Sequence, residues 1–187
     1  MQAKTITFYA QRHGDRRGDC LTQVGKDQVL RAKHMFDHVQ FDAVYASPKL
    51  RAVQTATIFA GGESAVTVSN GLYPPLADSQ VDRLWGDPDT QGTTIHDWFI
   101  NLKRGWGPRA QALLLAAMHE MVLDVVQDKP NKNDICIYFA SHSLYLEMLL
   151  PEQFQNECPL AVAELCIVRC VYTDSLSIKD VRFVRRA

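Results

Sequence analysis

The chain has 187 residues, 47% of them hydrophobic and 22% charged, which suits one folded domain and excludes disordered, collagenous and coiled-coil classes. Twenty basic against twenty-one acidic side chains leave a formal charge of -1, so no whole-protein field gathers nucleic acid or a membrane surface. Any anion site has to be local.

In chain order, "TITFYAQRHGD" reads as a strand over residues 5–10 that runs without a turn into Arg12, His13 and Gly14. "LTQVGKDQVLRAKHMFDHV" follows with Val29, Ala32 and Phe36 at helical spacing and Thr22 placed to cap the start. A strand over 43–46 leads into a second helix over 48–60, with Ser47 as its cap and Pro48 as its first residue. A strand over 65–69 precedes the loop-like "GLYPPLADSQVDRLWGDPDTQG", long enough to form a lid or rim. "TIHDWFINLKR" and "PRAQALLLAAMHEMVLDVVQD" read as two further helices, and strands over 135–140, 164–173 and 177–184 complete the order.

Short β-branched and aromatic runs alternating with helices imply a three-layer α/β/α fold with a mostly parallel central sheet. It forms a single domain over 1–187, with residues 70–130 able to serve as a cap or insert. Five cysteines, at 20, 136, 158, 166 and 170, contain no CxxC pair and read as buried thiols. No stretch approaches the roughly eighteen apolar residues of a membrane span, and no leader is visible, so the expected location is cytoplasmic. His34 and His38 share a helix face without a third ligand, so no metal site is expected.

Ligands of such sheets collect beyond the carboxyl ends of the strands. Three strand ends share a theme there: Tyr9-Ala10-Gln11 leads to Arg12-His13-Gly14, Tyr45-Ala46-Ser47 to Arg51, and Phe139-Ala140-Ser141 to His142. Arg51 falls in the first turn of its helix, where a cation costs roughly 0.3–1 kcal/mol against the macrodipole unless an anion sits beside it. Arginine's planar fork matches phosphate oxygens two at a time. Gly14 lets backbone approach a ligand closely. His13, among these cations, is a nucleophile candidate if its other ring nitrogen donates to a carbonyl.

These segments resemble the histidine phosphatase superfamily, whose best-known branch contains the cofactor-dependent phosphoglycerate mutases. "RHGD" is similar to its nucleophile signature, "LTQVGKDQVLRAK" to its L-T-x-x-G-x-x-Q-A helix, "YASPKLRAVQTA" to its S-S-P-x-x-R-A-x-Q-T segment, and "ASHS" to its second histidine motif. The resemblance implies that His13 accepts the phosphoryl group while Arg12, Arg51 and His142 hold its oxygens, with Gly14 beside them and no metal or other cofactor. The two final strands also look similar to the small bacterial phosphohistidine phosphatases.

The departures matter as much. Where the family commonly has a glutamate general acid, "GLYPP" puts Pro74, and the usual glycine after the second histidine is Ser143. Asp78 or Asp82 is the expected substitute acid, with Asp87 and Asp15 behind them, or there is none. A missing acid costs on the order of 10² to 10⁴ in rate, most for poor leaving groups. An imidazole leaving group, which titrates near 6.5, needs little help. The implied activity is a metal-independent phosphatase acting on protein phosphohistidine or a small phosphomonoester. The alternatives are a phosphomutase and a non-catalytic phosphate-binding member. The expected partners are phosphorylated small molecules or phosphoproteins, not nucleic acid or membrane.

Overall fold

The computed structural model describes residues 2–73, 107–143, 145–149 and 160–184. Along them, β1 (Lys4–Arg12) is followed by a small hairpin of β2 (Arg16–Arg17) and β3 (Cys20–Leu21), then by α1 (Gln23–His34), β4 (Ala43–Ala46), α2 (Leu50–Ala60) and β5 (Val66–Val68). After the undescribed stretch come α3 (Gly107–Asp128), β6 (Asp134–Ser141), β7 (Leu165–Tyr172) and β8 (Leu176–Val184).

The main sheet has the order β5-β4-β6-β1-β7-β8. Its first four strands are mutually parallel, whereas β7 runs against β1 and β8 against β7. Only residues 173–175 separate β7 from β8, too few for the dozen or more that a parallel crossover needs, so a hairpin is the one way to pair them. The result is a mixed, mostly parallel sheet.

Successive side chains of a strand point to opposite faces, and β6 shows what each face buries. Ile135, Ile137 and Phe139 join Ile6, Phe8 and Val168 under α3, whose Leu114, Met118, Met121, Val122 and Val125 cover them. Tyr138 and Ala140 face the other way, against Val29 and Ala32 of α1 and Ala52, Ala56 and Phe59 of α2. The Tyr138 and Phe59 rings stack with centroids 4.1 Å apart. These two cores make the three layers.

Several expectations need correction. The first helix stops at His34 instead of running on to residue 39, and Phe36 turns back onto Tyr9, with ring centroids 5.4 Å apart. α3 belongs to the core and not to a cap, while residues 74–106, including "TIHDWFINLKR", lie outside the described residues. By length and composition alone, residues 109–128 could cross a membrane, at a mean hydropathy of 1.2, which the sequence reading did not expect. In this fold the apolar side of that helix is what covers the sheet. Cys166 and Cys170 are buried thiols on β7, but Cys20 is exposed because its hairpin stands outside the sheet, and Cys158 lies outside the described residues.

Candidate active site

The register of the parallel strands builds the site. Arg12 of β1 lies opposite Ser141 of β6, and Ala46 of β4 lies opposite Ala140. The next residues along each chain segment, His13, Ser47 and His142, therefore emerge together at the carboxyl edge. His13 is stitched in place by its own amide, which donates to Ser141 O at 3.1 Å, and by its carbonyl, which accepts from Ala163 N at 3.1 Å.

His13 and His142 meet with ring centroids 5.2 Å apart, both almost fully buried. A carbonyl can only accept, so the 2.8 Å contact between His13 Nδ1 and Gly14 O puts the proton on Nδ1. Nε2 is then unprotonated, and its lone pair accepts from Arg51 Nε at 3.1 Å. Burial pushes the His13 pKa down to about 3, the Gly14 contact pulls back, and the charges of Arg51, Arg12 and Arg16 press further downward. The ring is thus an uncharged imidazole over the whole neutral range.

Gly14 and Gly25 lock the loop that carries His13. A Cβ on Gly14 would fall 2.5 Å from Gly25 O, and one on Gly25 only 2.0 Å from Asp15 O. The close approach that Gly14 permits is therefore to the first turn of α1. Thr22 caps that turn as expected, accepting from Gly25 N at 3.0 Å, and also donates to Asp15 Oδ2 at 2.7 Å. Two glutamines of the helix motifs hold backbone: Gln28 accepts from Asp15 N at 2.9 Å and Gln54 from Leu21 N at 2.7 Å.

Ser47 does not cap α2. The helix begins at Leu50 with Lys49 as its cap residue, and Pro48 precedes it. Ser47 Oγ instead lies 2.6 Å from His142 Nε2, while Arg51 Nη2 approaches His142 Nδ1 at 3.5 Å. An arginine only donates, so His142 carries its proton on Nε2 and gives it to Ser47. Burial holds the His142 pKa well below the ordinary range, reinforced by His13, Arg51, Lys49 and Arg12. Tyr73 closes this side, its ring edge-on to His142 at 5.2 Å and under Lys49 Nζ at 4.9 Å.

Each arginine has an acidic neighbour that sequence reading missed. Arg51 Nη1 pairs with Asp19 Oδ1 at 2.5 Å, which offsets the cation's unfavourable place in the first turn of α2. Arg12 donates through Nη1 to Leu160 O, within electrostatic reach of Glu147 and Glu164. Glu147 is buried, and its Oε1 accepts from Ser143 Oγ at 2.7 Å and Leu160 N at 2.8 Å, so one carboxylate oxygen braces the surroundings of both Arg12 and His142. Burial pushes its pKa up. Ser143, the departure from the motif's glycine, is what reaches Glu147. Asp78, Asp82 and Asp87 lie outside the described residues, and Asp15 is engaged by Thr22.

The family model "Histidine phosphatase superfamily (branch 1)" matches residues 4–170. The chain belongs to this family. A comparison with curated protein sequences returns no match. Among solved structures, the mycobacterial glucosyl-3-phosphoglycerate phosphatase in complex with VO3 is similar at 17% identity and a TM-score of 0.59, covering 95% of this chain and 96% of that one. The phosphoserine phosphatase of Entamoeba histolytica in complex with 3-phosphoglyceric acid is similar at 18% identity and 0.55, covering 95% and 96%. A phosphoglycerate mutase from Bacillus anthracis is similar at 14% identity and 0.57, covering 95% and 92%. At these identities the likeness is one of fold, and it agrees with the mixed sheet and flanking helices of this family member.

Proposed function

We propose that this histidine phosphatase family member is a phosphatase that works through a phosphorylated His13, with protein phosphohistidine as its substrate class. The observation that carries the reading is the unprotonated Nε2 of His13, set by the Gly14 carbonyl that takes the Nδ1 proton and accepting a hydrogen bond from Arg51. In the first step Arg51 Nε exchanges its hydrogen bond to that lone pair for one to a phosphoryl oxygen, the lone pair forms an N–P bond while the bond from phosphorus to the leaving group breaks, and the electron pair departs with the leaving group. In the second, a water oxygen attacks phosphorus, the N–P bond breaks, a proton passes to solvent, and inorganic phosphate leaves.

Arg12, Arg51 and His142 hold the phosphoryl oxygens, supplying the positioning and charge stabilisation on which such transfers depend. His142 donates through Nδ1. For this, Nδ1 takes up a proton from solvent while Nε2 gives one up to solvent, and Ser47, whose hydroxyl either accepts from Nε2 or donates to it, suits both tautomers with the ring in place.

The leaving group selects the substrate. Pro74 stands where the family commonly has its acid, so an alkoxide would depart without a proton donor from that position, whereas a phosphohistidine ring that carries a proton on its other nitrogen departs as neutral imidazole, whose conjugate acid titrates near 6.5. The phosphatases of similar fold, by their names, act on glucosyl-3-phosphoglycerate and phosphoserine, and such monoesters are the proper comparison. Given equal amounts of a phosphohistidine peptide, phosphoserine and a sugar phosphate, the enzyme is expected to favour the first in kcat/KM by on the order of 10²-fold or more. Preference for either monoester defeats the leaving-group argument. Phosphate binding without turnover of any of the three indicates a binding module.

A further inference from the structure

We infer that Asp19 is an internal anion occupying donors that the substrate's phosphoryl group needs, so that phosphate binds by exchanging with it. The inference rests on the phosphate site proposed above. Asp19 stands at the tip of the β2–β3 hairpin, where Gly18 adopts a left-handed φ of +63° and begins a two-residue turn. One carboxylate oxygen sits 2.5 Å from Arg51 Nη1, and the other accepts from the amide of Leu50, the first residue of α2, at 3.2 Å. A guanidinium fork and a helix N-terminal amide are the kinds of donor that bind a phosphoryl oxygen.

The same guanidinium touches His13 Nε2 through its Nε. Asp19 and the nucleophile are therefore two neighbours of one arginine, and an anion arriving at His13 meets a carboxylate across that cation. The pairing is lopsided: the Arg51 side chain is 11% exposed, whereas that of Asp19 is 48% exposed. Arg51 stays where it is, and the partner on the hairpin is free to swing into water. A phosphoryl dianion attracts the guanidinium more strongly than a monoanionic carboxylate does, so exchange favours the dianion and disfavours singly charged esters. Asp19 thus sets both affinity and charge preference, while keeping Arg51 extended in the empty site.

This role has a sign opposite to that of a residue that merely holds Arg51. Asn and Ser suit the same turn, so Asp19→Asn and Asp19→Ser should fold. Titrating inorganic phosphate calorimetrically into the whole chain, we expect each variant to bind it about two- to fivefold more tightly than wild type, the factor a partly exposed ion pair is worth. In turnover, KM should fall without a matching rise in kcat. Unchanged or weaker phosphate binding by both variants, with wild-type binding intact, overturns the inference and leaves the phosphatase reading standing. Absence of phosphate binding in wild type and variants alike overturns the phosphate site, and the exchange with it.

Discussion

His13→Ala is expected to lower kcat/KM for p-nitrophenyl phosphate by roughly 10⁴- to 10⁶-fold, the scale on which loss of a covalent nucleophile is felt. The activated phenolate needs no acid, so the assay isolates attack on phosphorus from proton donation. The loss should not come from unfolding. His13 gives up its contacts to the Gly14 carbonyl, Arg51 Nε and the His142 ring, while its backbone bonds to Ser141 and Ala163, the lock between Gly14 and Gly25 and the strand register remain. Arg12, Arg51 and His142 also remain, so the variant should still bind inorganic phosphate. Normal turnover by the alanine variant would remove His13 from the chemistry.

The second large effect is on stability in acid. Two imidazoles are buried uncharged, one with its pKa near 3 and the other well below 6.5. Below about pH 6.5 the unfolded chain protonates both while the native state refuses, so the unfolded state binds more protons and stability falls as the pH drops. The loss continues until the native pKa is reached, which for His13 means down to about pH 3. Such a group costs up to about 1.4 kcal/mol per pH unit, so at pH 4.5 His13 removes roughly 2–3 kcal/mol, and His142 adds a loss of the same sign. Glu147 acts with the opposite sign, since its raised pKa lets the native state take up a proton first. A comparison of variants isolates the histidines. Denaturant unfolding of wild type and His13→Asn at pH 7.5 and 4.5, in buffers free of phosphate, should show the pH-dependent loss reduced by roughly 2–3 kcal/mol in the variant. Equal losses would show that His13 is charged in the folded protein.

Much of this was legible because burial writes itself into composition. The runs over 5–10, 43–46 and 135–140 carry their strands, and the motif residues around His13, Arg51 and His142 lie at strand ends that parallel pairing aligns. Strand direction is less visible: an apolar run records that both faces are covered, not which way the chain travels, and only the brevity of residues 173–175 betrays the antiparallel end of the sheet. Ser47 illustrates a second limit. A serine before a proline reads as a cap by local rules, yet a histidine 95 positions away offers its hydroxyl a 2.6 Å contact that the cap cannot match. Asp19 and Glu147 illustrate a third. Their charges look like ordinary solvated or helical ones until folding brings Arg51 to the first and Ser143 with Leu160 N to the second.

The most direct test of the central claim is to mix enzyme with p-nitrophenyl phosphate, quench within the first turnovers in alkali, where a P–N bond survives, and locate any phosphoryl group by mass spectrometry. A single phosphoryl group on the peptide that carries His13, absent from His13→Ala, is the result expected of an unprotonated Nε2 beside Arg51. Turnover that proceeds with no phosphoryl group on the protein, or with one on a serine, an aspartate or another histidine, would contradict it.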